Sequence, residues 1–176
     1  MKSTTTGNTG VVLFQTNLIV VLVFAALFIG LFTVQPQAAS AQKDDKGTKC
    51  PPTKPDSLGP FYKPDAPERS KVGEGYVMTG AVKSAGKCEP VPGAKVEFWL
   101  AGPDGQYHDR QRATLHSGKD GDYRFESNFP PPYASRPSHI HVKVSANGFK
   151  ELVTQHYPKK GQSEAKFDLV IEPADK

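Results

Sequence analysis

The sequence predicts an all-β fold, a two-sheet antiparallel β-sandwich with long loops. Short segments with apolar residues at every second position alternate with turn residues, and no amphipathic helix of convincing length interrupts them. A period of two is typical of strands with one face on a core and the other in solvent. The predicted strands are Tyr76 to Val82, Ala94 to Leu100, Tyr123 to Ser127, His139 to Ser145 and Lys166 to Ile171.

Residues that favour turns bound each predicted strand. Glycine, proline, asparagine and aspartate recur in the segments 84–86, 92–93, 103–105, 119–121 and 146–148. Glycine adopts positive φ without strain, and aspartate and asparagine bond to nearby backbone, so such segments end strands and reverse the chain. We expect the large aromatic side chains to fill the sandwich: Trp99 in the core, and Tyr62, Tyr76, Tyr123 and Tyr157 in the core or at its rim.

Residues 1–41 predict an export signal. They contain no acidic residue and one basic residue, Lys2, and an apolar run covers residues 18–32. About 15 apolar residues are typical of a signal peptide, and Ala-Ser-Ala at 39–41 provides a cleavage sequence. The alternative is an uncleaved membrane anchor over residues 11–34. Both interpretations place the domain outside the cytoplasm, and the first predicts a secreted protein without a stable membrane partner.

Residues 42–56 are polar and contain several prolines, which predicts a linker or arm before a domain over residues 57–176. A chain of 176 residues is long enough for one such domain and short for two. Cys50 and Cys88 are its two cysteines. In an exported protein an even pair favours a disulfide, which would tie the arm to the domain. A metal site is the weaker alternative, because two cysteines leave a coordination shell unfilled.

The charge pattern argues against nucleic acid as a partner. The chain has 22 basic and 18 acidic residues, which gives a formal net charge of +4. The two signs are interleaved along the sequence, whereas nucleic-acid binding requires a clustered basic stripe.

His139 and His141 are the first candidates for metal ligands. On a strand, side chains at i and i+2 point to the same face, so both imidazoles can reach one ion. Tyr107 and Tyr133 come next, because each lies at the end of a turn or loop, where a rigid scaffold presents functional side chains. Taken singly, each of the four also fits a surface or packing role. Three further histidines have no expected role: His108, His116 and His156.

Several short motifs follow one another from residue 58 onward. They are Leu-Gly-Pro-Phe-Tyr at 58–62, Pro-Gly-Ala at 92–94, Phe-Trp at 98–99, Asp-Gly-Gln-Tyr at 104–107, Gly-Asp-Tyr-Arg-Phe at 121–125, Pro-Pro-Tyr at 131–133, Arg-Pro-Ser-His-Ile-His at 136–141 and Leu-Val-Thr-Gln at 152–155. In this order they resemble the catalytic domain of the intradiol ring-cleavage dioxygenases. The resemblance covers residues 57–157 and continues in part to residue 172.

The resemblance implies a non-haem ferric ion, Fe(III), held by two tyrosinates and two histidines. Matched residue by residue, the ligands would be Tyr107, Tyr133, His139 and His141. Phenolate is a hard anionic donor that favours the ferric state, and coordination can remove the proton of a phenol whose free pKa is near 10. Such an ion activates a catecholate for direct attack by O2.

The same resemblance implies the catalytic residues and the activity. Arg136 matches the family arginine that faces the substrate and stabilises negative charge on its ring, and Gln155 matches the family glutamine in the same pocket. Tyr133 matches the tyrosinate that is displaced by the substrate and takes one of its protons. The implied protein is an exported oxidoreductase that cleaves catechol-type diols between their hydroxyls with O2, giving cis,cis-muconate-type products.

The chain departs from the larger members of the family in one connection near the expected site. Only Ala134 and Ser135 separate Tyr133 from Arg136, where larger members of the family carry a longer loop. The shorter connection implies a more open active site, which favours bulkier or varied catechols. The alternative function is a non-catalytic extracellular β-sandwich binding module with a residual metal site.

Overall fold

Two four-stranded sheets form the folded part of the chain. The structure is a computed structural model that describes residues 50–175; the predicted leader and most of the predicted linker, residues 1–49, lie outside the described residues. The described part contains one short 3-10 turn and no α-helix, so the predicted all-β sandwich is confirmed. It holds no helix long and apolar enough to cross a membrane.

The strands are β1 (Tyr76–Ser84), β2 (Lys95–Leu100), β3 (Arg112–His116), β4 (Asp122–Ser127), β5 (Ile140–Ser145), β6 (Leu152–His156), β7 (Glu164–Lys166) and β8 (Leu169–Ile171), and the 3-10 turn spans Asp109–Gln111. The prediction missed β3 and β6 and merged β7 with β8. Both missed strands bury polar side chains, among them Arg112 and Thr154. Their sequences therefore lack the apolar alternation on which the prediction rested.

The first sheet is built around β1. β4 pairs with one edge of β1 in antiparallel orientation, and β7 and then β8 pair with its other edge in parallel orientation. Between β7 and β8 the chain leaves the edge of β1. At this point the backbone of Phe167 lies so close to Gly80 that a Cβ on residue 80 would collide with the carbonyl oxygen of Phe167. Asp168 fills the gap by accepting hydrogen bonds from the Ala81 amide (3.0 Å) and the Lys83 amine (2.6 Å).

The second sheet has the order β3-β2-β5-β6 and is antiparallel throughout. Its inner face packs on the first sheet, with Phe98 stacked on Phe125 at a ring-centroid distance of 4.2 Å. Tyr76 and Tyr123 lie in this core as expected, whereas Trp99 does not. Trp99 points to the outer face of the second sheet and is 2% exposed there. Trp99 is therefore buried as expected, but it lies under a second layer that covers this outer face and not between the two sheets.

The cover on this outer face is the segment 57–69, which we call the covering segment. The Tyr62 ring packs edge-on against Trp99, with centroids 5.2 Å apart. Backbone carbonyls of the segment accept hydrogen bonds from the strands beneath, including Phe61 from the Arg112 guanidinium (2.5 Å) and Ala66 from the Thr114 hydroxyl (2.8 Å). Polar side chains on the strands thus replace water as partners of an irregular backbone.

The predicted linker ends in an arm, residues 50–56, that lies along the domain. The Thr53 amide donates to the Val170 carbonyl (3.0 Å), and the Asp56 amide donates to the Val153 carbonyl (2.9 Å). The disulfide predicted between Cys50 and Cys88 is confirmed, and it joins the start of the arm to the domain. The arm leads directly into the covering segment. The disulfide at Cys50 therefore anchors the start of the backbone that continues over the second sheet.

We expect reduction of the disulfide to destabilise the domain. The bridge closes a separation of 38 residues, for which the loop-entropy model gives about 3–4 kcal/mol, or a fall in Tm of about 10 °C. The measurement is a thermal scan with and without reductant, with thiol titration of the native protein. A Cys50→Ala/Cys88→Ala double variant is the control and should not respond to reductant. Two titratable thiols in the native protein would contradict the pairing.

Candidate metal centre

The four predicted metal ligands come from three parts of the chain. Tyr107 lies in the connection from β2 to β3, Tyr133 in the connection from β4 to β5, His139 directly before β5, and His141 near the start of β5. The structure brings their side chains together on the outer face of the second sheet. The ring centroids of Tyr107 and Tyr133 are 5.4 Å apart, those of Tyr107 and His141 6.0 Å, and those of the two histidines 4.8 Å.

The hydrogen bonds of His139 fix which of its nitrogens faces the cluster. Nδ1 lies 2.7 Å from the Pro137 carbonyl oxygen, and because a carbonyl only accepts, Nδ1 carries the proton. In the neutral ring Nε2 then holds the free lone pair, and it lies 3.0 Å from the Tyr107 hydroxyl. A histidine that is held by its N–H to a carbonyl and presents its other nitrogen is arranged as metal-binding histidines are.

The contact between Tyr107 and His139 brings two candidate donor atoms together. The Tyr107 hydroxyl oxygen and the free nitrogen of His139 lie 3.0 Å apart, at hydrogen-bond distance. Burial raises the pKa of Tyr107 to about 12. Without a cation the phenol is therefore neutral and donates to His139, and a cation would take the place of that proton.

His141 is held between two flat surfaces. Its ring stacks on Trp99 with centroids 4.8 Å apart, and Gly59 of the covering segment lies so close that a Cβ there would sit 2.9 Å from the His141 Cε1. Gly59 also has φ = +71°. Both the close contact with His141 and this positive φ favour glycine at position 59. Burial, and then the charges of His139 and Arg136, lower the pKa of His141 to about 3. The imidazole is neutral at every ordinary pH.

One nitrogen of His141 has an unmet bonding requirement. Nδ1 is buried and has no hydrogen-bond partner within residues 50–175. A buried polar atom without a partner is costly, and this one belongs to a ring that meets the other candidate ligands. The same part of the chain holds no group of three or more His, Cys, Asp or Glu that could bind a metal. A cation at this cluster would therefore need the tyrosine oxygens as ligands, and these residues fit that requirement.

Tyr133 and Arg136 are the ends of one tight turn. The backbone amide of each donates to the carbonyl of the other, at 3.2 and 2.9 Å, and Ala134 between them has φ = +50°. An alanine in the left-handed region is strained, and the two mutual hydrogen bonds hold it there. The side chains of Tyr133 and Arg136 consequently keep a fixed spacing with only two residues between them.

Arg136 and Gln155, the two predicted pocket residues, bond directly to each other. Nη2 of Arg136 donates to Oε1 of Gln155 at 2.8 Å, and Nε2 of Gln155 donates to the Ser57 carbonyl at 2.5 Å. Gln155 lies opposite His141 in the register of β5 and β6. The pairing of the strands thus places the glutamine, and through it the arginine, beside the histidines.

Three residues at this cluster were not predicted. Phe61 stacks on Tyr107 with centroids 4.3 Å apart and meets Tyr133 edge-on at 5.2 Å. The Tyr157 hydroxyl bonds to Arg136 and to Asp56 of the arm. The Leu-Gly-Pro-Phe-Tyr motif marked Phe61 only as part of a resemblance, and no local signal distinguishes Tyr157 or Asp56, because both reach the cluster through tertiary packing.

The remaining histidines lie elsewhere. His108 is half-exposed and bonds to Asp104 at 2.7 Å, and His116 is exposed near Glu68. His156 lies at the side of the core, where its Nε2 is 2.7 Å from the Tyr76 hydroxyl and burial lowers its pKa. None of the three joins the cluster.

The fold and the cluster together define a β-sandwich protein with a candidate mononuclear metal centre built from tyrosines and histidines. Residues 62–171 match the family model described as Dioxygenase, and the chain belongs to the intradiol ring-cleavage dioxygenases. The resemblance noted from the motifs is thereby confirmed.

Individual relatives agree with this assignment. The chain is 28% identical over 166 residues to a chlorocatechol 1,2-dioxygenase of Cupriavidus pinatubonensis, covering 75% of this chain and 63% of that protein. It is 31% identical over 138 residues to a catechol 1,2-dioxygenase of Candida albicans, covering 57% and 45%. The chain thus spans less than two thirds of these curated relatives.

A solved structure is also similar to this chain, over nearly the whole length of that structure. It is the dioxygenase domain of a dioxygenase–carbohydrate-binding protein fusion from the cellulolytic bacterium Streptomyces sp. SirexAA-E, at 28% identity and a TM-score of 0.62. The match covers 70% of this chain and 99% of that domain.

Proposed function

We propose that the protein is an exported non-haem iron(III) dioxygenase that opens catechol-type aromatic diols between their hydroxyl groups, giving cis,cis-muconate-type products. Both atoms of O2 enter the product. One observation carries the proposal: two tyrosines and two histidines form a single cluster with Arg136 beside it, in a chain that belongs to the intradiol family. Relatives named chlorocatechol and catechol 1,2-dioxygenase support a catecholic substrate.

Tyr107, Tyr133, His139 and His141 would hold the ion. When bound, Fe(III) would supply the positive charge that draws a catecholate into the site and makes its ring reactive toward O2. Two anionic phenolate oxygens and two neutral imidazoles suit a ferric rather than a ferrous ion, because hard anionic donors favour the higher charge. His141 brings no proton to be displaced, whereas each phenol must lose one.

The chain's own residues would manage the protons and the charge of the substrate. A catechol would give up two protons to bind as a dianion. The Tyr133 oxygen, on a half-exposed side chain at a turn, would accept one of them, and the other would pass to solvent. Arg136 lies beside the histidines and keeps part of its guanidinium unbonded to other residues within 50–175. It would stabilise the negative charge that the ring carries as O2 attacks.

We also propose that the site accepts bulky or varied catechols. The support is the tight turn from Tyr133 to Arg136. Only two residues lie between them, where larger members of the family have a longer loop that lines the pocket. The non-catalytic binding module is not favoured, because such a module would have no use for an arginine held beside a tyrosine and histidine cluster.

Export is supported by the leader-like sequence of residues 1–41 and by the disulfide, since disulfides persist in oxidising compartments. We expect the secreted protein to begin at Gln42, as N-terminal sequencing of culture medium from the native host would show. Full-length chain in a membrane fraction would instead support the anchor over residues 11–34.

We expect the purified protein to bind about one iron per chain and to be reddish, because phenolate-to-iron(III) charge transfer absorbs visible light. Tyr107→Phe and Tyr133→Phe should each shift or weaken this band, and His139→Ala and His141→Ala should lose the metal. Absorption spectra and metal analysis provide the measurement. Tyr62→Phe and His116→Ala are matched controls and should keep both iron and colour. A colourless protein that binds zinc and ignores ferric iron would rule the proposal out.

Arg136→Ala separates metal binding from turnover. It should keep iron and colour yet lose ring cleavage by roughly 10²- to 10³-fold, which is typical of a deleted electrostatic stabiliser. Muconate formation and oxygen uptake over a panel of substituted catechols are the readouts. Arg124→Ala, which removes an exposed arginine of β4, is the control and should cleave at the parent rate. Cleavage by Arg136→Ala at the parent rate would exclude the assigned role, and a semialdehyde product would indicate cleavage outside the diol.

A further inference from the structure

Tyr157 connects the arm to Arg136. Its side chain is 40% exposed, and its ring lies beside that of His139, with centroids 6.2 Å apart. The hydroxyl oxygen lies 2.8 Å from Nη2 of Arg136 and 2.8 Å from Oδ2 of Asp56. An exposed tyrosine whose hydroxyl meets a cation on one side and a carboxylate on the other has an orientation that the protein fixes.

The direction of these hydrogen bonds follows from the donors available. Two acceptors lie near the Tyr157 hydroxyl: Oδ2 of Asp56 at 2.8 Å and Oε1 of Gln155 at 3.0 Å. The single hydroxyl hydrogen goes to Asp56, the nearer and the charged acceptor, and the phenol oxygen accepts from Arg136. The second hydrogen on Nη2 goes to Oε1 of Gln155, at 2.8 Å. Both hydrogens of Nη2 are therefore used, one by a phenol oxygen and one by an amide oxygen.

A guanidinium carries five N–H donors in one plane. Within residues 50–175 the hydrogen bonds of Arg136 side-chain nitrogens all come from Nη2, so the donors on Nε and Nη1 are left for a ligand. We propose that Tyr157, supported by Asp56, is a positioning residue that holds Nη2 so that the opposite edge of the Arg136 guanidinium faces the bound diol. This inference rests on the proposed function.

The hydroxyl between Asp56 and Arg136 also keeps N–H donors of the arginine free. The Ser57 amide donates to Oδ1 of Asp56 at 2.6 Å, which lowers the pKa of the carboxyl and keeps it ionised. A direct, bidentate ion pair would occupy the donors that a substrate needs. Because Tyr157 stands between them, the carboxylate orients the guanidinium through one hydrogen bond and leaves three N–H donors unused.

The test is a double-mutant cycle. Tyr157→Phe keeps the ring and removes the hydroxyl, and it should lower kcat/KM about tenfold with iron content unchanged. In the Arg136→Ala background the same change should have no further effect, because the residue that it positions is gone. Asp56→Ala should lose less than Tyr157→Phe, because the Tyr157 hydroxyl still accepts from Arg136 and can donate to Oε1 of Gln155. Asp56→Asn, which still accepts a hydrogen bond, should recover most of that smaller loss. Tyr62→Phe removes a hydroxyl that bonds to Glu97 on the same sheet and should stay within about twofold of the parent.

A second readout does not depend on turnover. Rotation of the Arg136 guanidinium about its Cζ–Nε bond, measured by ¹⁵N NMR on the iron-free full chain, should be at least about threefold faster in Tyr157→Phe than in the parent and unchanged in Tyr62→Phe. Equal losses of activity in both backgrounds, or equal rotation rates in parent and variant, would overturn the positioning role. A protein that binds no iron and cleaves no catechol would defeat the proposed function instead, and the rotation rates would then still decide the role of Tyr157.

Discussion

The candidate metal centre depends on the layer that the covering segment forms over the outer face of the second sheet. A sheet in a two-layer sandwich ordinarily shows this face to water, and histidines on it would be solvated. Here Gly59 lies on the ring of His141, Phe61 lies on Tyr107, and Tyr62 lies on Trp99. The layer removes water from His141, which is why its pKa falls to about 3 and the ring stays neutral. It does so with a chain that has no regular structure of its own, which is possible because polar strand residues supply hydrogen bonds to its carbonyls.

This burial of both faces explains what the sequence could and could not predict. β1 and β4 alternate visibly, since one face of each is polar, and the sequence located both. In β2 the residues Val96 to Leu100 are all buried, including Glu97 at 2% exposure. Glu97 is tolerated because Lys95 and Lys143 pair with it and the Tyr62 hydroxyl donates to it. A buried carboxylate of this kind cannot be distinguished from a solvent-facing one by periodicity, and for the same reason the neighbouring strands β3 and β6 were not recognised.

The residues of the candidate site differ in the kind of sequence signal from which each could be predicted. His139 and His141 follow from strand geometry, because i and i+2 share a face whatever the tertiary structure. Tyr107, Tyr133, Arg136 and Gln155 were available only through the resemblance of several motifs taken in order. Tyr157 and Asp56 were available from neither source. Their contacts depend on where the arm lies relative to the end of β6. Arm and strand are separated in sequence by about 100 residues, so no local sequence pattern indicates that Asp56 and Tyr157 are in contact.

Burial shifts the pKa values of His141 and Tyr107 in opposite directions, and the two shifts have opposite consequences for metal binding. Burial acts on both in the direction that favours the neutral form, lowering the pKa of His141 to about 3 and raising that of Tyr107 to about 12. For His141 the neutral form is the one that binds metal, so burial prepares the ligand. For Tyr107 the neutral form is the one that must be given up, so burial opposes binding until a highly charged cation displaces the proton. The attraction between a cation and a phenolate oxygen grows with the charge of the cation, so a trivalent ion would offset this cost better than an ion of lower charge. The same apolar layer that keeps His141 neutral would thus favour a highly charged ion at the proposed site, and this preference would come from the packing of residues 57–69 as much as from the ligands themselves.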